Sequence, residues 1–210
     1  MSLTRLWIGL LAVSAFAAEP KLDDLLQKVE ARYNRTKSLQ VVFQEQYTRA
    51  GEPRRTESGV LMLHKPGRMR WDYTQPKGKL FVCDGKFLYL YTPDDNRAER
   101  MKLQMSDDMR APLAFLLGRL NFKEDFKSFS ATPDRENVFI TATPKSDKMP
   151  YTEVTFLVSP DSVIHYLKVR GQDGSLLEYT FEDERKNPPV ADTTFRFAPP
   201  PGVEFVDSSR

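Results

Sequence analysis

Cysteine and histidine are scarce in this sequence of 210 residues, which contains one cysteine, Cys83, and two histidines, His64 and His165. A single cysteine cannot form an intramolecular disulfide, and its position in LFVCDG favours a small buried hydrophobe over a reactive thiol. The two histidines stand far apart, with no His-x-x-x-His or Cys-x-x-Cys spacing near them. We therefore expect no metal site, and we interpret both histidines as strand-surface or rim residues.

Common catalytic motifs are missing as well. The sequence has no Gly-x-Ser-x-Gly and no glycine loop that could cradle a phosphate. Its carboxylate pairs, Asp94-Asp95 and Asp107-Asp108, fall in predicted turns or helix starts, where solvation and capping explain them. We predict that the protein is not an enzyme and needs no cofactor, although a fold can still assemble a site from distant residues.

The charge balance gives no excess of either sign. Lys and Arg number 31 against 29 Asp and Glu, for a formal net charge of +2. In a strand over residues 68–73, Arg68 and Arg70 would point away from Met69, Trp71 and Tyr73. A surface for single-stranded nucleic acid needs cations and rings on one face. We expect no nucleic-acid partner.

Long hydrophobic runs are limited to residues 6–16, directly after a cation in MSLTR. Small residues at Ala15 and Ala17 suit a signal peptidase, so we predict a secretory signal over residues 1–17 and a functional domain over residues 18–210. The alternative is a membrane anchor, but the run is shorter than the roughly 20 apolar residues that span a bilayer. We expect a soluble monomer outside the cytoplasm.

The periodicity of apolar residues then changes from helical to alternating. Leu22, Leu25, Leu26, Val29 and Tyr33 predict one amphipathic helix. Alternating segments separated by turn residues follow, and SDDMRAPLAFLLGRLNF interrupts them with one or two further helices. The pattern predicts a mainly β fold, a single strongly curved antiparallel sheet of about 10–11 strands with helices on its concave face.

The hairpin around Asp84-Gly85 is apolar on both sides, with Phe87, Tyr89 and Tyr91 on one side and Leu88 and Leu90 on the other. A sheet covered on both faces has this pattern. The interior between sheet and helices could be a filled core or a cavity for an apolar ligand, and composition does not distinguish the two.

The segments GVLMLHKPGRMRWDYTQP and LFVCDGKFLYLYTPDDNRA resemble the periplasmic outer-membrane lipoprotein carriers, the LolA-like proteins. The resemblance extends to SLQVVFQEQY upstream, APLAFLLG in the middle and TTFRFAPPPGVEFVD at the end, in the same order. It implies an unclosed β-barrel with an α-helical lid and an apolar cavity for lipoprotein acyl chains, without catalysis. It also implies two partners, an inner-membrane ABC exporter that loads the carrier and an outer-membrane lipoprotein receptor, and hence a periplasmic location.

The resemblance also implies which residues line the cavity and which one holds the lid. The cavity candidates lie on strands, on the first helix and on the central helix: Phe43, Met69, Trp71, Phe87, Tyr89, Tyr91, Leu22, Leu25, Leu26, Val29, Leu113, Phe115 and Leu116. Lys65 stands where the family favours an arginine that bonds the lid. Lysine replaces a planar five-donor group by a compact ammonium, so the latch could be weaker or could move to Arg68 or Arg70.

Two other functions remain open at this point. One is a carrier of a different lipid, such as a glycolipid. The other is a regulator of the same fold that senses mislocalised lipoproteins, which would normally have a second domain.

Overall fold

The computed structural model describes residues 22–53, 56–103 and 120–209. Helix α1, Leu22–Arg35, is followed by a sheet of thirteen strands, interrupted by the single-turn helix α2, Phe122–Asp125. The strands in chain order are β1 Ser38–Arg49, β2 Glu52–Pro53, β3 Glu57–His64, β4 Arg68–Gln75, β5 Leu80–Asp84, β6 Phe87–Thr92, β7 Arg97–Lys102, β8 Phe126–Asp134, β9 Asn137–Pro144, β10 Tyr151–Val158, β11 Ile164–Gly171, β12 Leu176–Lys186 and β13 Glu204–Asp207.

The sheet is one unclosed, curved surface, and its strand order is β13-β7-β6-β5-β4-β3-β1-β12-β11-β10-β9-β8, with β2 paired to β1. The predicted mainly β fold with a first amphipathic helix is confirmed. The strand number is higher than predicted because three strands were not recognised: β2 has only two residues, and neither β7 nor the C-terminal β13 carries a clear alternating pattern. β13 is also the exception to antiparallel pairing, since it runs parallel to β7.

Helix α1 forms because its first turn carries Asp23 and Asp24 and its last turn Arg32 and Arg35, which complement the helix dipole. Its apolar residues repeat at helical spacing and are buried against one face of the sheet. We call this sheet face, which shares one apolar cluster with α1, the inner face. The opposite face is the outer face.

The chain after β12 returns across the outer face. We call residues 192–209 the C-terminal strap; it begins with a 3₁₀ turn, Asp192–Phe195, and ends in β13 at the sheet edge. The side chain of Phe195 in the strap is almost fully buried and contacts Arg68 and His64 of the sheet. Strands β4 to β7 are therefore covered on both faces, which explains why Val82 and Ala98, on the outer face, are as inaccessible as Trp71 on the inner face.

Candidate lipid-binding site

An aromatic cluster occupies the centre of the inner face. Phe43 on β1 lies edge-on to Trp71 and Tyr73 on β4, with ring centroids 4.7 and 5.1 Å apart. Trp71 also contacts Tyr179 on β12 at 5.4 Å. All four side chains are 4 % exposed or less. Alternation along β1, β4 and β12 points them the same way, and their strands are near neighbours in the sheet.

Gly59 lies beside this cluster, on the strand between β1 and β4. It lies on β3 opposite both Phe43 and Tyr73, at a register shift between β3 and β4. A Cβ at this position would lie 2.1 Å from the Asp72 carbonyl oxygen, so no other residue fits without movement of the backbone. The absence of a side chain lets the backbones of β3 and β4 approach closely at this point, directly beside Phe43 and Tyr73.

Helix α1 covers the inner face with the residues that the sequence predicted. Leu25, Leu26 and Val29 are buried in the same apolar cluster as Phe43, Met69 and Trp71, and Leu22 packs against its edge. Met69 is 2 % exposed, and its sulfur accepts a hydrogen bond of 3.5 Å from the Trp71 indole. Seven of the predicted cavity residues thus belong to one continuous apolar surface.

Tyr33 connects the C-terminal end of α1 to the β3–β4 turn and to strands β11 and β12, which lie on the other side of β1 in the sheet. The Lys65 ammonium, from the β3–β4 turn, donates a hydrogen bond of 2.8 Å to the Tyr33 carbonyl oxygen. The Tyr33 hydroxyl donates to Glu184 on β12 at 2.9 Å and accepts from the Ile164 amide at 3.0 Å. Burial, followed by the negative charge of Glu184, raises the pKa of Tyr33 well above its ordinary value, so the hydroxyl stays protonated. Burial also lowers the pKa of Lys65.

Two polar side chains of α1 hold the segment that leads into α2. The Asn34 side chain accepts from the Leu120 amide at 2.7 Å and donates to the Leu120 carbonyl at 2.8 Å. Glu30 accepts from the Phe122 amide at 2.7 Å. Because both contacts come from the C-terminal half of the helix, that half is the better anchored part of α1.

Polar groups border the apolar surface near Glu45 on β1 and Tyr73 on β4, at the end of the β3–β4 hairpin away from Lys65. The carboxylate of Glu45 is buried on the inner face and accepts a hydrogen bond of 3.2 Å from the Tyr73 hydroxyl. The Lys79 ammonium lies 4.4 Å from the centre of the Tyr73 ring and pairs with Glu57. A ligand lying along the aromatic cluster would therefore meet charged and hydroxyl groups at this end.

Three predicted cavity residues lie elsewhere. Strand pairing places Leu88 opposite Cys83 and Leu90 opposite Phe81, on the inner face, so Phe87, Tyr89 and Tyr91 point outward. Tyr89 and Tyr91 contact Phe197 of the C-terminal strap at 5.4 and 6.4 Å, and Phe87 packs against the Arg100 guanidinium. The prediction placed the larger aromatic side chains inside, whereas the register places the leucines there.

Arg68 and Arg70 do not contact α1, where the sequence considered them as alternative latches. Arg68 bonds Asp192 at 2.8 Å and His64 at 2.9 Å, and lies over the Phe195 ring. Arg70 donates to the Thr194 carbonyl at 3.1 Å and forms a two-bond contact with Asp72. Both arginines thus hold the C-terminal strap on the outer face.

The other half of the inner face was missed as a candidate surface. Apolar side chains from β9 to β12 join the same cluster, and they include Ile140, Tyr151, Phe156, Leu167, Tyr179 and Phe181. Alternation in NVFITATP, TEVTFLVS and SLLEYTFEDER is the sequence signal that could have found them. The inner face therefore extends across nearly the whole sheet.

Several predicted features lie outside the described residues: the central-helix candidates Leu113, Phe115 and Leu116, and the predicted signal over residues 1–17. Among the described residues, no helix has the length and apolar character needed to cross a membrane. In the same ranges, no three His, Cys, Asp or Glu side chains come together as a metal ligand set. Cys83 is buried, and burial raises its pKa.

Comparison with known proteins agrees with this geometry. The family model described as "Outer membrane lipoprotein carrier protein LolA" matches residues 34–198. The chain is 28 % identical over 195 residues to the outer-membrane lipoprotein carrier protein of Chromobacterium violaceum, covering 93 % of each chain. It is also 28 % identical over 204 residues to the protein of the same name from Edwardsiella ictaluri, covering 97 % of each.

The fold itself is similar to that of solved structures. An uncharacterized conserved protein from Thermus thermophilus superposes with a TM-score of 0.53 at 10 % identity, over 88 % of this chain and 98 % of that one. This likeness supports the architecture of the sheet. Since the family model spans most of the sequence, including β1, the β3–β4 hairpin and the start of the C-terminal strap, this chain belongs to the LolA family of outer-membrane lipoprotein carrier proteins.

Proposed function

We propose that this protein is a periplasmic carrier that binds the acyl chains of lipoproteins between the inner face and its helical cover. In this proposal, an inner-membrane ABC exporter loads the carrier and an outer-membrane receptor unloads it. The observation that carries the proposal is the continuous apolar inner face, with α1 lying over it as a separate element. Membership of the LolA family and the names of its relatives support the same role, which is not catalytic.

The physical chemistry of the cargo explains why such a protein is needed. Each CH₂ group moved from a bilayer into water costs about 0.8 kcal/mol, so one long acyl chain exposed to water would cost on the order of 10 kcal/mol. A carrier must cover that chain during the whole passage. A sheet face that presents aromatic and branched side chains from many strands offers the necessary apolar area.

The proposed cavity wall follows the strand register. It comprises the inner-face residues together with the α1 residues that pack on them: Phe43, Met69, Trp71, Leu88, Leu90, Leu22, Leu25, Leu26 and Val29. Leu113, Phe115 and Leu116 remain predicted contributors from the central segment. These side chains are mostly buried against α1, so entry of an acyl chain requires α1 to move away from the sheet.

Lys65 is the proposed latch for that movement. Its ammonium bonds the last turn of α1 through the Tyr33 carbonyl, and charge-assisted bonds of this kind contribute about 1.5–3 kcal/mol. Closure of α1 would then compete with cargo for the inner face. This competition would keep the affinity for acyl chains low enough for transfer to a receptor that binds them more tightly.

Binding of a fluorescent apolar probe to the purified protein, without residues 1–17, tests the proposal. We expect saturable binding that fatty acyl chains displace competitively, since both would occupy the inner face. Absence of saturable binding would refute the cavity. Mass spectrometry of lipids that copurify from the periplasm distinguishes the cargo, because triacylated peptides support the proposal and glycolipids would redirect it. Capture of the exporter by the tagged protein tests the partner separately.

A further inference from the structure

A second concave site lies on the side of α1 away from the proposed cavity. It is an open pocket of about 390 Å³ between the helix, the β10–β11 turn and the end of β12. We call it the basic pocket, and its lining residues are Lys28, Ala31, Arg32, Arg35, Thr36, Asp161, Ser162, Lys186 and Asn187. None of them is among the inner-face residues assigned to acyl chains.

The basic pocket concentrates positive charge far beyond the average of the protein. Four cationic side chains line it, against the single carboxylate of Asp161, whereas the whole chain carries a formal charge of only +2. Arg32 is held in place by its salt bridge to Glu184. Within the part of the chain that the structure describes, Lys28, Arg35 and Lys186 form no salt bridge, so three of the four cations that line the pocket are not held by a carboxylate partner.

Stabilisation of α1 does not account for this arrangement. Cations favour a helix C-terminus, but only within its last turn. Lys28 lies in the middle of α1, and Lys186 belongs to another element, β12. Two carbonyl groups of the last turn already have donors from side chains outside this set, since Thr36 bonds the Arg32 carbonyl at 3.0 Å and Lys65 bonds that of Tyr33. The convergence of cations from two elements thus needs another explanation.

We propose that the basic pocket binds a phosphate group. A phosphate suits a pocket lined by the Arg35 guanidinium and the Lys28 ammonium from α1 and by the Lys186 ammonium from β12, because each of these groups can give it a charge-assisted hydrogen bond. Ser162, which is almost fully buried, also lines the pocket wall. The phosphate could belong to the headgroup of an anionic phospholipid or to a free phosphate monoester, and the chemistry of recognition is the same for both.

A matched pair of triple variants tests this site. Lys28→Gln/Arg35→Gln/Lys186→Gln removes the unpaired cations of the pocket, and Lys86→Gln/Lys102→Gln/Lys127→Gln removes three cations elsewhere. All six side chains are exposed, so both variants should fold, and both lower the net charge by the same amount. The probes are inorganic phosphate and glycerol 3-phosphate, followed by NMR, and vesicles of phosphatidylglycerol with phosphatidylcholine, followed by cosedimentation.

We expect the parent and the control variant to bind at low salt and the pocket variant to bind about fivefold more weakly per cation removed. Saturable binding of glycerol 3-phosphate with this pattern supports a site for an isolated phosphate group. Binding of vesicles alone with this pattern supports the phospholipid headgroup as the source. Binding of neither probe by the parent, or equal weakening in the two variants, overturns the proposal. None of these outcomes affects the acyl-chain proposal, because that proposal rests on residues of the inner face.

Discussion

Two different segments cover the two faces of the β3–β4 hairpin, and residues of that hairpin hold both of them. On the inner face, Lys65 bonds the last turn of α1. On the outer face, Arg68 and Arg70 bond the C-terminal strap through Asp192 and the Thr194 carbonyl. Both covering segments are thus bonded by residues of the same hairpin, but they are attached to the rest of the sheet in different ways.

The outer cover continues the sheet, whereas the inner cover only rests on it. Strand β13, at the end of the strap, pairs with β7 through backbone hydrogen bonds, and the Ser208 amide extends that ladder to Arg100. Helix α1 contacts the sheet through apolar side chains and a few polar ties near its C-terminal end. A cover without ladder bonds can leave and return, so we infer that the inner cover is removable and the outer one permanent.

We expect the largest effect from a charged side chain introduced on the inner face, compared with the same charge on the outer face. Met69→Glu places a carboxylate among inner-face side chains, where burial of an unpaired charge costs several kcal/mol. We expect a large fall in the free energy of unfolding, measured by denaturant titration, and loss of binding of the apolar probe. If α1 leaves easily enough to hydrate the new carboxylate, the protein stays folded but still fails to bind the probe.

Val42→Glu is the control for that substitution. Val42 is on β1, which β3 separates from the strand of Met69; it points to the outer face and is 38 % exposed, so its glutamate remains in water. We expect little change in stability and normal binding of the probe. A Met69→Glu protein that is as stable and as active as Val42→Glu would remove Met69 from the proposed site.

The sequence predicted the inner cover much better than the outer one, for physical reasons. Helical spacing in α1 and alternation in β1 and β4 each mark one apolar side, which identifies the buried residues directly. In β6 both sides are apolar, so alternation could not decide whether Tyr89 or Leu88 faces inward. The outward rings of β6 pack against Phe197 of the strap, a contact that the local pattern does not reveal. The pairing of β13 with β7 joins residues about 100 positions apart, so local alternation does not reveal it either.

The next largest effect concerns the outer cover alone. Phe195, near the start of the strap, is 2 % exposed and packs against the side chains of His64 and Arg68. Phe195→Ala should lower the free energy of unfolding by about 3 kcal/mol, because a large buried ring leaves a cavity. Binding of the apolar probe should not change in the variant that remains folded. An equal loss of probe affinity in Phe195→Ala and Met69→Glu would show that the two faces are not independent.

A smaller effect is expected at the latch. Lys65→Leu removes the donor to the Tyr33 carbonyl, so the closed state loses about 1.5–3 kcal/mol and cargo competes better with α1. Release of a bound lipoprotein to the outer-membrane receptor should slow by about one to two orders of magnitude in a transfer assay. Lys65→Arg retains a donor and should transfer at the parent rate or faster. Equal release rates for Lys65→Leu and the parent would reject the latch.

The smallest effect tests the salt bridge that starts the outer cover. The hydrogen bond and the charge of Arg68 lower the pKa of Asp192 below its ordinary 3.8, so the ionised carboxylate contributes stability above that pH and loses it as the pH falls through the lowered pKa. Asp192→Asn should therefore have a slightly lower melting temperature than the parent at pH 7 and pH 5, and the difference should disappear once the pH falls below the lowered pKa of Asp192. Asp94→Asn, in the exposed 3₁₀ turn before β7, removes a carboxylate that makes no salt bridge among the described residues and serves as the control. A difference that persists in acid, after the Asp192 carboxylate has been protonated, would assign the effect to the loss of the side chain, and one that Asp94→Asn reproduces would assign it to general charge; in either case the strap would depend on Phe195 and β13 alone.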